Sequence, residues 1–302
     1  MTAHGSHARA ALLMLGSTVF FGLMAVVIRL ASETLHTFEI AFFRNFFGLM
    51  AALPLLIKHG PGLLKTTQLP RYFIRCLIGV LSMFCGFWAI GHLPLAQAVS
   101  LSYSTPIFVT IAAVIFLHEH VRARRWAAVA LGFLGVLIIV RPGTGDFSAG
   151  TLIALSAAVL SGIVSIQIKQ LSYTEPADRI VFYTTLLWVP LSLGPALFVW
   201  QWPQGIAWVW VIAAGFLGTG GHMLWTRALK LGDVSALTPI SFMQLPLVAI
   251  AGWLLFDEGL SRWTALGAGI IFAANAYIAH REAQLARRAA TTAPIEAAKP
   301  GE

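Results

Sequence analysis

Charge is what this sequence has least of. Only 11% of its 302 residues are Asp, Glu, Lys or Arg, against roughly a quarter in soluble domains. A soluble fold of this length would need far more charge to cover its surface, so the composition excludes one. Acidic residues are scarcest. There are twelve (Glu33, Glu39, Glu119, Asp146, Glu175, Asp178, Asp233, Asp257, Glu258, Glu282, Glu296 and Glu302), all near run ends, in breaks or in the tail. The two cysteines, Cys76 and Cys85, stand nine residues apart in one apolar run. On a helix they lie ~13 Å apart on opposite faces, which excludes a mutual disulfide and any zinc spacing. The net charge of +8 comes without a nucleic-acid motif, and the basic residues sit between apolar runs and near the tail, as in the loops of membrane proteins.

What is abundant is apolar length. Hydrophobic residues make up 58% of the chain, and the mean hydropathy is +0.80. A helical span needs about 20 apolar residues. Ten candidates occur, near 11–31, 37–57, 72–91, 95–117, 125–141, 150–171, 180–200, 206–228, 234–256 and 262–280. The first is longer than a signal-peptide core and reads as an uncleaved span. Turn and charge signals such as "KHGPGLLKTTQLPR", "HEHVRARR" and "RPGTGDFSAG" separate the runs. Residues 1–10 read as a cytoplasmic N-terminus and 283–302, rich in Ala, Thr and Pro, as a disordered cytoplasmic tail.

Orientation follows from Lys and Arg. With the N-terminus inside, sixteen of the twenty, Arg75 among them, fall in inside segments, and only Arg141 and Arg262 fall outside. Arg29 and Arg44 lie within spans. This distribution predicts ten spans with both termini in the cytoplasm.

The chain also repeats itself. "AVSLSYSTPIFVTIAAVIFLHE" (98–119) resembles "SALTPISFMQLPLVAIAGWLLFDE" (235–258). Pro106 pairs with Pro246, Gly22 with Gly162, Arg29 with Lys169 and Glu39 with Arg179, all at an offset of 140, and Glu119 pairs with Glu258 at 139. Five spans per repeat is odd, so the second repeat enters the membrane inverted. The expected fold is an all-α integral membrane protein whose ten transmembrane helices form two inverted five-helix repeats, 11–143 and 144–282. Inverted repeats are a transporter architecture, with the site at mid-membrane between the halves.

These features resemble the drug/metabolite transporter superfamily, EamA type. Each half ends in a proline-to-glutamate helix, Pro106 to Glu119 and Pro246 to Glu258, followed by a glycine-bearing helix, "LGFLGVLIIV" and "LGAGIIFAANAY". "FFRNFFG" is similar to the family's arginine-bearing second helix, and the likeness covers about 11 to 282. Thr184 stands where the second half would repeat that arginine, so any site is asymmetric. The resemblance implies a secondary carrier with no bound cofactor, whose relatives export amino acids, other metabolites or metallophores, or take up cofactors.

Within that frame the residues suggest roles. Pro106 and Pro246 reach mid-membrane, ~16 and ~18 Å deep, and each frees a helical carbonyl, at Ser102 and Phe242. They are either hinges beside a cavity or packing kinks. Tyr103 and Gln244 need polar partners at this depth, and with Ser241 they form a candidate lining. Trp88 and Trp225 are candidates for the cavity or for an interfacial belt. His222 is a cavity residue or a packed histidine. Arg44, six residues or ~9 Å inside its span, costs roughly 2.5–3.5 kcal/mol at the centre of a span. It is expected to face a cavity and attract a substrate carboxylate, unless backbone carbonyls or Glu39 hold it. Glu119 and Glu258 read as structural, bonding the next helix start or a nearby arginine. No metal or catalytic site is expected: "HEH" at 118–120 is not HExxH, and Ser161 in "VLSGIV" with His222 lacks a hydrolase context.

The expected function is export of a small carboxylate-bearing or zwitterionic metabolite, such as an amino acid or opine-like metallophore, across the bacterial inner membrane. Uptake of a cofactor or nucleoside-like solute is the alternative. An intramembrane enzyme and a non-transporting scaffold are alternatives of other classes. Partners are the solute and membrane lipids, as a monomer or homodimer.

Overall fold

The structure is a computed structural model that describes residues 3–60, 65–117, 123–142, 148–231, 237 and 240–297. Eleven α-helices run through the described residues, which hold no strand: α1 (Ala3–Ala31), α2 (Thr37–His59), α3 (Leu69–His92), α4 (Leu95–Ser102), α5 (Thr105–Leu117), α6 (Ala123–Val140), α7 (Ala149–Ser172), α8 (Ala177–Leu197), α9 (Ala207–Leu231), α10 (Gln244–Phe256) and α11 (Arg262–Ala297). By length and composition, Arg9–Ala31, Leu69–His92, Leu95–Phe116, Ala149–Ser172, Arg179–Leu197 and Ala207–Trp225 can each cross a bilayer. Leu12, Ile57, Leu81, Leu131, Leu152 and Leu254 are among many large apolar side chains left exposed. Helices apolar all round, with an apolar outer surface, are what a lipid solvent requires.

The chain is an integral membrane protein of ten spans arranged as two inverted five-helix repeats. The packing partners obey the internal symmetry: α1 lies on α9 as α7 lies on α3, α2 on α9 as α8 on α3, and α1 on α10 as α7 on α5, while α2 meets α8 and α6 meets α11. Glycines make the related contacts. A Cβ at Gly22 would lie 2.5 Å from the Leu247 side chain, and one at Gly162 would lie 3.0 Å from Phe108. At the α6–α11 seam, Gly135 and Gly267 face each other's carbonyls, 2.8 and 2.5 Å from where a Cβ would stand. Small residues let the backbones approach and gain dispersion contacts where lipid gives no hydrophobic drive.

Three expectations change. Spans four and nine are not continuous helices with proline kinks. The fourth breaks at a turn over residues 103 and 104, the ninth at residues 242 and 243, and Pro106 and Pro246 occupy the first turns of α5 and α10. A first-turn residue has no helical acceptor for its N–H, so proline loses nothing there. The carbonyls expected to be freed are capped locally: Ser102 O accepts from Thr105 Oγ1 at 2.8 Å, and Phe242 O accepts from Leu245 N at 2.9 Å. Finally, the tail expected to be disordered is helical as far as Ala297. Its Ala, Arg and Gln content favours helix whatever its polarity. α1 likewise starts at Ala3, inside the segment assigned to the N-terminus.

The loops are tied by side chains. His36 Nδ1 accepts from Phe38 N while Glu39 accepts from His36 N at 2.9 Å, a reciprocal cap that starts α2. The second oxygen of Glu39 accepts from Gln201 N, joining this cap to the α8–α9 connection. At the other end of the bundle, Glu175 accepts from Thr66 Oγ1 at 2.5 Å and pairs with Arg179 at 2.7 Å. Burial opposes its ionisation, but the Thr66 hydroxyl and Arg179 guanidinium win and hold its carboxyl below the ordinary value. Cys76 and Cys85 are both free thiols.

Candidate functional site

A cavity of about 200 Å³ lies where α1, α3, α4, α7 and α10 converge, lined by Phe21, Met24, Ala25, Gly86, Ala89, Ile90, Ala98, Val99, Ser102, Ala154, Ala157 and Gln244. Most of these side chains are small, and helices that meet through alanine and glycine leave room that leucine would fill. The cavity draws on both repeats, as an inverted-repeat site should.

At the helix breaks the backbone turns and needs partners. The Tyr103 hydroxyl donates to Ser241 O at 2.5 Å and lies 3.1 Å from Gln244 Oε1. Its carbonyl accepts from Asn275 Nδ2 at 2.7 Å, and its ring stacks on Phe242 with centroids 4.2 Å apart. The two breaks, one from each repeat, are thereby fastened to each other. Non-helical backbone at this depth survives only where protein satisfies it.

Arg44 is buried beside the cavity. It leans over Gly218, where a Cβ would stand 2.6 Å from Nη2 and 2.9 Å from the sulfur of Met24, a cavity-lining side chain. Nη1 donates to Asn45 Oδ1 at 3.0 Å, Asn45 is anchored on Ser192 at 3.2 Å, and the guanidinium lies 5.8 Å from the Trp188 ring. Nε has no partner. Glu39 does not serve it, being spent on the α2 cap and Gln201. His222, one turn beyond Gly218, meets Phe21 edge-on at 5.1 Å, yet leaves much of its own surface exposed.

Near the end of α1 opposite the N-terminus, Arg29 forms a clasp. Its Nη2 pairs with Glu258 Oε1 at 2.8 Å and its Nη1 donates to Ile90 O at 3.0 Å. The other Glu258 oxygen accepts from Leu95 N at 2.6 Å, the first residue of α4. Asp257, left-handed with φ 53°, turns the chain to bring Glu258 back over Gly252. A separate vestibule of about 590 Å³, lined by Arg29, Ser32, Glu33, Gly91 and Trp253 to Asp257, lies beside this clasp.

The structure therefore brings Tyr103 together with the Ser241 carbonyl and with Gln244, of which only Gln244 lines the cavity, and sets Arg44 and His222 one side chain behind it, against Met24 and Phe21. Pro106 and Pro246 are exposed beside the breaks. Trp88 and Trp225 are not among the cavity-lining side chains. Trp88 stacks on His92 at 4.1 Å and covers Gly150, and Trp225 is 42% exposed. Glu258 does bond a helix start and an arginine; Glu119 lies outside the described residues. Sequence reasoning missed Arg75. Counted with the loops, it is a buried α3 residue that donates to Thr184 Oγ1, and its Nε is unpartnered. The signal was available, since Thr184 marks the vacancy that Arg75 fills.

Comparison with known proteins fits this geometry. The profile of the EamA-like transporter family matches residues 8–141 and again 148–279. The S-adenosylmethionine uptake transporter of Rickettsia felis is 32% identical over 82% of this chain and 84% of its own length. The riboflavin transporter of Vibrio cholerae is 32% identical over 74% of this chain and 76% of its own. The pseudopaline exporter CntI of Pseudomonas aeruginosa is 30% identical over 84% and 90%. A solved crystal structure superposes with a TM-score of 0.63 at 19% identity, covering 91% of this chain and 98% of that one, a likeness of fold. With one profile matching each half of an inverted ten-span bundle, the chain belongs to the EamA-like transporter family and is a multi-pass membrane transporter, not an enzyme.

Proposed function

We propose that the protein carries a small carboxylate-bearing or zwitterionic metabolite across the bacterial inner membrane by alternating access, with both termini cytoplasmic. The observation that carries this reading is Arg44, a buried guanidinium with an unpartnered Nε and no carboxylate partner among the described residues, set against a cavity-lining side chain. Arg44 attracts the solute's carboxylate, while Tyr103, Ser241 and Gln244 frame the polar end of the cavity and the breaks before Pro106 and Pro246 act as hinges. Export is the direction expected from the sequence, and the pseudopaline exporter is a relative of that kind.

A second reading, uptake of a cofactor or nucleoside-like solute, is favoured by the relatives named for S-adenosylmethionine uptake. S-adenosylmethionine carries an amino-acid carboxylate, so one solute tests both. The experiment is flux of labelled S-adenosylmethionine and a panel of amino acids into right-side-out and inverted vesicles. Flux of an acidic or zwitterionic solute is expected in the intact chain and lost in Arg44→Ala, which still inserts. Unchanged flux in that variant overturns the role of Arg44, and the vesicle orientation that accumulates solute decides the direction.

A further inference from the structure

The internal symmetry exposes an exchange of residues. Position 44 corresponds to 184 and position 75 to 215, both at the offset of 140. Where α2 meets α9, α2 carries Arg44 and α9 carries Gly215, whose Cβ position is 3.0 Å from Arg44 O. Where α8 meets α3, the assignment is reversed: α8 carries Thr184 and α3 carries Arg75, in direct hydrogen-bond contact. Each symmetry-related seam thus holds one arginine opposite one small residue. Arg44 lies seven residues from the start of α2 and Arg75 six from the start of α3, each about 9–10 Å in from opposite faces.

Both arginines are 5% exposed, and each has a buried Nε with no partner. Between them stands Trp188, one turn along α8 from Thr184. Its ring lies 5.8 Å from Arg44, its Nε1 is 3.1 Å from the Cβ position of Gly79, one turn beyond Arg75, and it too is buried without a partner. Three unsatisfied donors, two of them on cations, follow one another along α8. The acids whose side chains are described, Glu33, Glu39, Glu175, Asp257 and Glu258, lie at helix ends or in loops, with Glu39, Glu175 and Glu258 in contacts of their own. Unpaired buried donors are costly, and unpaired cations in lipid more so. What such a row lacks is an acceptor carrying negative charge.

We propose that Arg44 and Arg75 are two stations for one anion, Arg44 serving the outer face and Arg75 the cytoplasmic face, with the Trp188 N–H between them. This rests on the carboxylate reading above and adds to it a second station. The solute's carboxylate leaves one guanidinium only to meet the next, so its charge is never bare in the bilayer. Thr184 is small because Arg75 reaches across to it.

The test uses the full chain in oriented vesicles and a probe independent of the solute, the impermeant anionic arginine reagent 4-sulfophenylglyoxal, with adducts mapped by mass spectrometry. Arg75 is expected to be modified from the cytoplasmic face and Arg44 from the outer face. Citrate on the same side should slow each at least tenfold, and glycerol should not. In the Arg75→Thr, Thr184→Arg chain the cytoplasmic adduct should move to position 184. Absence of an Arg75 adduct from the cytoplasmic face, modification of both arginines from one face, or indifference to citrate overturns the two-station arrangement. Failure of the carboxylate reading shows separately, as flux that ignores Arg44→Ala.

Discussion

Gly218 has room for a hydrogen atom and little else, because the Arg44 guanidinium and Met24 sulfur occupy the space where a Cβ would stand. Gly218→Ala therefore pushes the guanidinium from its place without removing its charge. Flux assays should show a raised half-saturation concentration for the transported solute, while Arg44→Ala loses flux altogether. Arg75 shows why the proposed site was only partly legible. An arginine near the start of a span reads as a loop residue, because counting positive charge cannot tell a solvated side chain from one turned inward. Only the partner Thr184, on a different helix, distinguishes them. The pairing of Tyr103 with Gln244 was legible for the opposite reason: polar groups in a span must find partners, and they found each other. Trp88 and Trp225 carried no such requirement, since an indole is at home in a core, a cavity or an interface.

Elements meet at a few ties, and each makes a prediction. Glu258 joins α10 to Arg29 of α1 and to the first N–H of α4. Glu258→Ala leaves both donors unserved, and hydrogen bonds to charged groups contribute about 1.5–3 kcal/mol. A lowered melting temperature in detergent is expected, with Glu258→Gln falling between. Glu175 ties the connection before α3 to the one before α8, with its carboxyl held below the ordinary 4.5. A depressed carboxylate contributes stability above its unfolded value and loses it as pH falls through the folded value. The melting temperature should therefore decline on acidification below about pH 4.5, and Glu175→Gln should remove that part of the decline. At the α6–α11 seam, Gly135→Leu forces apart two backbones now in contact; overpacking of this kind costs typically 1–3 kcal/mol, readable in the same melts. The spans themselves were legible because twenty apolar residues have few other uses. The breaks in the fourth and ninth were not. Proline reports that the helix ladder is interrupted, but the choice of turn over kink was made by Asn275 and Ser241, distant in sequence.

At the scale of the whole molecule, the repeat at an offset of 140 anticipated the packing, from the helix pairs down to Gly22 against Leu247 and Gly162 against Phe108. It requires that equivalent loops open to opposite faces. In a chain whose Cys76 and Cys85 are replaced by Ser, a cysteine at Ala123, the first residue of α6, and one at Gly259, after α10, should react with an impermeant maleimide from opposite sides; the same side for both would contradict the inverted arrangement. The breaks carry one more consequence. Because Tyr103 and Phe242 are stacked and each sits in the turn that precedes a separate half-length rod, α5 or α10, the two broken spans share a fulcrum. A tilt of α5 need not pass into α4, nor a tilt of α10 into the helical turn before it. Like a pair of seesaws bolted at the pivot, the proposed alternating access would close one end of the bundle while opening the other and leave its centre still.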